Sequence, residues 1–331
     1  MEHISALFAF LVLALWSQEG QFQRPRALLP EKLSKLSAEE MAYLRENCGR
    51  RPANFDRSRQ DKAMWGKKAS SRVSKVFGPD TKIALPKQWP WTVALMNPIY
   101  ARDCYADCYC PMCGGTLISD RHVLTAAHCV IDMGEFYFCD AREQLDWTLQ
   151  YREKYSSYRY YYGAPDLCDK KAKSTKAKAL KVANIYRYGQ MDKESVRRLG
   201  CLGDIAIAEL ETPVTKAQWR NLEAVPACLG TRQDRPADVL YGMGWGRYHG
   251  MEVDTSEDMK RNELRFAPLS FMPFEECKNK FSDITMEKVF NVRDKLCIRE
   301  RTNNVCQGDS GSGLMQYDET EKKHKGKSPL P

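Results

Sequence analysis

No stretch of this chain is apolar for long enough to cross a bilayer as a helix. The longest such run, "ALFAFLVLALW" (6–16), falls well short of the ~20 residues that a span needs. It sits at the extreme N-terminus before "SQEGQ", so residues 1–20 read as a secretory signal peptide, and no membrane association is expected once it is removed. Internal repeats are also lacking, which excludes solenoid and propeller architectures. Convincing helical periodicity is scarce. The basic low-complexity run "DKKAKSTKAKALK" (169–181) contains no aromatic residue, so it reads as a solvated loop and implies no nucleic-acid partner.

What is present is ordinary globular material with an oxidised character. The 331 residues are 43% hydrophobic and 28% charged, enough to build a sizeable core. Lys and Arg total 51 against 43 Asp and Glu, and part of this +8 excess lies in the basic run. The 13 cysteines are scattered, as expected of a secreted, extracellular protein with disulfide bonds; the odd number leaves at least one without a partner in the chain. "CYADCYCPMC" (104–113) is dense enough to suggest zinc, but an oxidising compartment favours disulfides. No metal and no other cofactor is expected.

Residues 21–75 read as a propeptide-like segment. Ser37 followed by Glu40 has the spacing of a capping box, and Met41 and Leu44 share a face, which predicts a short helix over 38–47 with Gly49 just beyond it. The stretch 50–75 is basic, polar and aperiodic, an exposed linker open to proteolysis. From about Val76 the pattern changes to short β-type runs: "WTVALM" (91–96), "GTLISD" (115–120), "HVLTAA" (122–127), "DIAIAEL" (204–210) and "DVLYGMGWG" (238–246). These argue for an all-β fold. The long stretch between Cys129 and Cys201, including the Tyr-rich "YREKYSSYRYYYG" (151–163), is expected to form surface loops.

Three segments carry chemistry together. "TAAHC" places His128, "DIAIAEL" opens with Asp204, and "CQGDSGSG" centres on Ser310. A serine hydroxyl needs an adjacent base to become a nucleophile. Imidazole suits that task, and a carboxylate can fix its tautomer and steady the imidazolium. Glycines beside the serine let backbone N–H groups reach a developing oxyanion.

With the order His, Asp, Ser and the "GWG" of 244–246, these segments resemble the chymotrypsin-like (trypsin-type) serine proteases over roughly residues 75–314. The N-terminal "KLSAEEMAYLRENCG" is similar to divergent nematode members. The resemblance implies two six-stranded antiparallel β-barrels with the site between them, a protease domain over 76–317 and a polypeptide substrate. It implies His128 as general base and acid, Asp204 as its orienting partner and Ser310 as nucleophile. Gly308 and Ser310 would supply the oxyanion N–H groups. Asp309 would receive a new N-terminus made by zymogen cleavage at Lys75–Val76, where "VFGP" keeps only the aliphatic first residue and the third-place glycine of the family's usual "IVGG". By the same resemblance Cys113–Cys129 closes the loop that carries His128, a ring worth about 3 kcal/mol. Cys277–Cys297 and Cys48–Cys228 pair likewise. Position alone suggests Cys139–Cys168.

The sequence departs from the family at several points. Asn304 stands six residues before Ser310, where a trypsin-like pocket has its carboxylate; an amide cannot replace that charge for Arg or Lys. Ser312 and Gly313 replace the usual Gly-Pro. After this loop the family continues with a strand, a "SWG"-like segment, a further cysteine and a helix, whereas here "LMQYDETEKKHKGKSPLP" follows. The second barrel is therefore expected to be incomplete, Cys306 to lack its family partner, and 318–331 to be a disordered tail. Two functions stay open: a secreted serine endopeptidase working through an acyl-enzyme, or a non-catalytic homologue binding an extracellular partner through the insert 139–200.

Overall fold

A computed structural model of the chain describes residues 33–51, 81–96, 113–130, 148–150, 159–162, 178–188, 204–230, 239–246, 264–280, 296–299, 304–305, 308–318 and 323–329. The linker with Lys75 and Val76, the cysteines at 104, 108, 110, 139, 168, 201 and 306, and most of the insert lie outside them.

The helix foreseen in the N-terminal segment is α1 (Ala38–Asn47). Both arms of its capping box are made: Ser37 Oγ accepts from the N–H of Glu40 at 3.2 Å, and the Glu40 carboxylate accepts from the N–H of Ser37 at 2.7 Å. Gly49, at φ 65°, turns the chain out of the helix, and its N–H donates to the Pro226 carbonyl.

Short strands then dominate: β1 (Lys82–Ile83), β2 (Thr92–Met96), β3 (Cys113–Leu117), β4 (His122–Thr125), β5 (Thr148–Gln150), β6 (Arg159–Tyr162), β7 (Lys178–Tyr188) and β8 (Ile205–Leu210). A one-turn helix α2 (Lys216–Arg220) leads to β9 (Cys228–Leu229), β10 (Val239–Gly244) and β11 (Arg265–Met272). Helix α3 (Phe274–Lys280) precedes β12 (Cys297–Ile298), β13 (Gly313–Asp318) and β14 (Lys323–Pro329).

Hydrogen bonding closes the first sheet on itself. The pairs β2–β3, β3–β4, β4–β8, β8–β7, β7–β6 and β6–β2 form a ring of antiparallel strands, with β5 attached to β7. Closure removes the exposed edges of a flat sheet. The second sheet runs β1-β11-β10-β13-β14-β9, with β12 on β11, and is an open curl among the described residues. One apolar cluster joins the two: Trp91, Val93 and Leu95 from the first sheet meet Met243, Phe266 and Met315 from the second. Helix α1 reaches the same cluster through Leu44. The all-β, two-barrel class foreseen from the sequence is the class observed.

Two expectations need correction. The insert is not all surface loop: 178–188, including the end of the basic run, is the longest strand of the closed barrel, and 159–162 and 148–150 pair with it. Leu180 and Val182 are buried while Lys181 between them is exposed, the alternation of a strand with one wet face. Nor is 318–331 all tail. Residues 323–329 pair antiparallel with β13 and parallel with β9, so neighbouring backbone supplies the partners that lysine-rich composition alone would not suggest.

Candidate active site

Strands β4 and β8 are neighbours in the closed barrel, paired so that Thr125 faces Ala206. The 3₁₀ turn Ala127–Val130 follows β4 and carries His128, while Asp204 immediately precedes β8. The two side chains therefore emerge at the same end of one strand pair. Asp204 grips His128 twice. One carboxylate oxygen accepts from the His128 backbone N–H at 2.9 Å, and the other lies 2.7 Å from Nδ1. Holding backbone and ring together fixes where the imidazole points and leaves Nε2 as the nitrogen turned from the carboxylate. Both side chains are partly buried, 26% and 16% exposed. Nε2 lies 3.6 Å from Cys129 Sγ, a feeble acceptor because that sulfur belongs to the Cys113–Cys129 disulfide. The same bond denies the Cys113, His128, Cys129 group the thiolates that a metal would need.

Ser310 is half-buried in the turn that leads to β13, and the turn is docked against the first barrel. The Gly114 N–H of β3 donates to the Ser310 carbonyl at 2.7 Å. Thr125 Oγ1 donates to the Gly114 carbonyl at 2.9 Å, and the Gly313 N–H donates to Thr116 Oγ1 at 2.9 Å. Gly311, at φ 82°, needs its missing side chain: a Cβ there would stand 2.3 Å from Thr125 Oγ1 and 2.5 Å from the Gly114 oxygen. The nucleophile turn thus rests on the backbone that, three residues after Thr125, reaches His128. Gly308 is buried at φ 98°, a left-handed backbone that suits glycine.

Asp309 is 1% exposed, and one carboxylate oxygen accepts from the Gly246 N–H at 2.7 Å. A Cβ on Gly244 would meet that oxygen at 2.2 Å, and one on Gly246 at 2.6 Å. The "GWG" stretch is therefore small on both sides of Trp245 because the carboxylate fills that space. Asn304 is half-buried, with Oδ1 accepting from the adjacent Val305 N–H at 2.9 Å. The pairs Cys113–Cys129, Cys48–Cys228 and Cys277–Cys297 are all bonded.

Sequence reasoning passed over the floor of this site. Gly114, Thr116 and Thr125 lie within the Cys113–Cys129 loop that carries His128; Gly114 and Thr116 bond to the Ser310 turn, and Thr125 supports Gly114 from behind. It also passed over a buried polar cluster at the other end of β4 and β8. Glu209, 5% exposed, accepts from Asn184 Nδ2 and Tyr186 Oη, both at 3.0 Å, and from the Ser34 N–H at 3.2 Å. Burial opposes its charge, yet these donors and nearby His122 outweigh it and hold the carboxyl below its ordinary range. Burial, with the Glu209 charge and its hydrogen bond adding to it, pushes the Tyr186 phenol out of the ordinary tyrosine range, upward.

The profile of the Trypsin family matches residues 80–321. Curated relatives are distant. Phenoloxidase-activating factor 3 of Holotrichia diomphalia is 29% identical over 206 residues, covering 61% of this chain and 51% of the relative. U21-ctenitoxin-Pn1a of Phoneutria nigriventer is 23% identical over 239 residues, 71% of this chain and 81% of the relative. Ovochymase of Halocynthia roretzi is 23% identical over 235 residues, 70% of this chain but 12% of the relative. The chain thus spans about half or less of the length of two of these three. A family match over most of the chain, two β-sheets curled as that family's barrels and its cysteine pairs make this chain a member of the trypsin-like serine protease family.

Proposed function

We propose that the protein is a secreted serine endopeptidase that uses His128, Asp204 and Ser310. The observation that carries this reading is the double grip of Asp204 on His128, at the end of the strand pair beside which the Ser310 turn is docked.

In this reading Ser310 Oγ attacks the scissile carbonyl carbon while His128 Nε2 takes the hydroxyl proton. The new C–O bond pushes the carbonyl electrons onto oxygen, where the N–H groups of Gly308 and Ser310 receive the negative charge. The C–N bond breaks as His128 gives its proton to the departing amine, leaving an ester on Ser310. Water then attacks the ester, His128 takes a proton from it, and the acid leaves as Ser310 recovers its hydrogen. Asp204 stays ionised throughout and stabilises the imidazolium.

The remaining parts follow the same reading. A signal peptide over 1–20 directs secretion. Cleavage at Lys75–Val76 frees an ammonium that competes for buried Asp309. Asn304 leaves the pocket base uncharged, so the enzyme prefers neutral side chains to Arg or Lys. Disulfides fit an extracellular protein, and no helix among the described residues is long and apolar enough to cross a membrane.

Labelling of the secreted protein by a fluorophosphonate probe tests the reading. Labelling is expected after treatment with an activating protease, and Ser310→Ala should abolish it. An unlabelled but folded protein would reject the enzyme and favour the non-catalytic homologue. Partner binding by that homologue is tested by substituting residues 163–177, which lie between β6 and β7 and leave both strands intact.

A further inference from the structure

The N-terminal segment 33–51 touches the body along its whole length, well beyond its one covalent tether. Leu33 is 5% exposed and packs with Ile118, Leu124, Tyr186 and Ile207. The next residue, Ser34, donates its N–H to buried Glu209. In the first turn of α1, Glu40 pairs with Arg121. Farther along, the Tyr43 ring lies 5.1 Å from that of Trp219, and Leu44 enters the main core. Only then does Cys48 reach Cys228.

These contacts have the chemistry of a binding site. There is an apolar pocket for one side chain, a buried carboxylate for one backbone N–H, a cation for one acid and an aromatic plate for another face. Burying a leucine side chain alone shifts an equilibrium by about tenfold or more. Departure of Ser34 would also take one donor from a carboxylate that remains buried. The seat lies on β4 and β8, with His122 and Glu209 at one end of the pair and His128 and Asp204 beyond the other.

We infer that residues 33–51 form a docked segment that the body recognises through Leu33, Ser34, Glu40 and Tyr43, and would hold without the Cys48–Cys228 bond when the following linker is cut. The inference stands apart from any proteolytic activity of the chain.

The test uses the full chain carrying a specific protease site within 52–80, with Cys48→Ser and Cys228→Ser together. After cutting, gel filtration at neutral pH should return the N-terminal fragment in the same peak as the body. Leu33→Asp should weaken that retention at least tenfold. A fragment that elutes separately from a body with native tryptophan fluorescence would overturn the inference. Should the double cysteine variant fail to fold, hydrogen exchange in the disulfide-intact, linker-cut protein decides instead. Slow exchange at the Ser34 amide supports a docked segment; exchange at the free-peptide rate overturns it.

Discussion

His122 and Glu209 stand directly opposite each other in the β4–β8 register, both buried, and at neutral pH only Glu209 is charged. Burial depresses the His122 imidazole to about 4, with the Glu209 charge pulling the other way and Ser119 Oγ 2.8 Å from Nδ1. Glu209 is held low by its three donors despite burial.

Both groups are depressed in the folded state, so both stabilise the fold at neutral pH and lose that contribution on acidification. For His122 the loss begins below the ordinary imidazole value of 6.5 and is complete near 4, on the order of 3 kcal/mol. Urea midpoints measured from pH 7 to pH 4 should fall steadily. In His122→Gln the slope across that window should shrink; an unchanged slope would remove His122 from the account.

Gly114 of β3 and Ser312, in the turn just before β13, form a second tight pair. A Cβ on Gly114 would lie 1.8 Å from Ser312 Oγ, and that buried hydroxyl has no hydrogen-bond partner among the described residues. Gly114→Ala should cost about 1–3 kcal/mol by overpacking. Adding Ser312→Gly should return most of the loss, a coupling that a double-mutant cycle of thermal midpoints would read. Ser312→Ala alone should be neutral or slightly stabilising, since it removes a polar atom that makes no bond.

Asn304 offers a nearly isosteric exchange. Its Oδ1 already accepts from the Val305 N–H, and an aspartate oxygen can accept the same bond. Asn304→Asp should leave stability nearly unchanged while raising cleavage after Arg and Lys relative to neutral residues by about tenfold or more. Peptide-library profiles of the two proteins would show the shift, and identical profiles would move the pocket base elsewhere.

Glu40 does two jobs that substitution can separate. Glu40→Gln keeps a capping-box acceptor for the Ser37 N–H but loses the ion pair with Arg121, whose side chains are 22% and 32% exposed, so the cost should stay within about 1 kcal/mol. Glu40→Ala loses both and should cost about 1 kcal/mol more. Equal losses in the two variants would deny the capping box a part in stability.

Much of the fold was legible where the cause is local. Ser37 and Glu40 marked α1 because a capping box needs only residues three apart. "WTVALM" and "DIAIAEL" read as strands because barrel strands in this core are apolar nearly throughout. The lysines at the start of β7 hid a strand that buries Leu180, Val182, Ile185 and Tyr186, because the polar residues between them mask the inward positions. Strand β14 carried no local signal at all, since its partners lie in β13 and β9.

The sequence by itself determined the family and the chemistry on offer, because imidazole, carboxylate, hydroxyl and glycine are scarce choices in an ordered trio of motifs. Only the tertiary structure decided how these groups meet. Asp204 reaches both the backbone and the ring of His128, Gly114 holds the Ser310 carbonyl, and Asp309 fills the space left by two glycines more than sixty residues away. These are contacts between distant segments, set by strand pairing and close packing, and no periodicity within a single stretch records them.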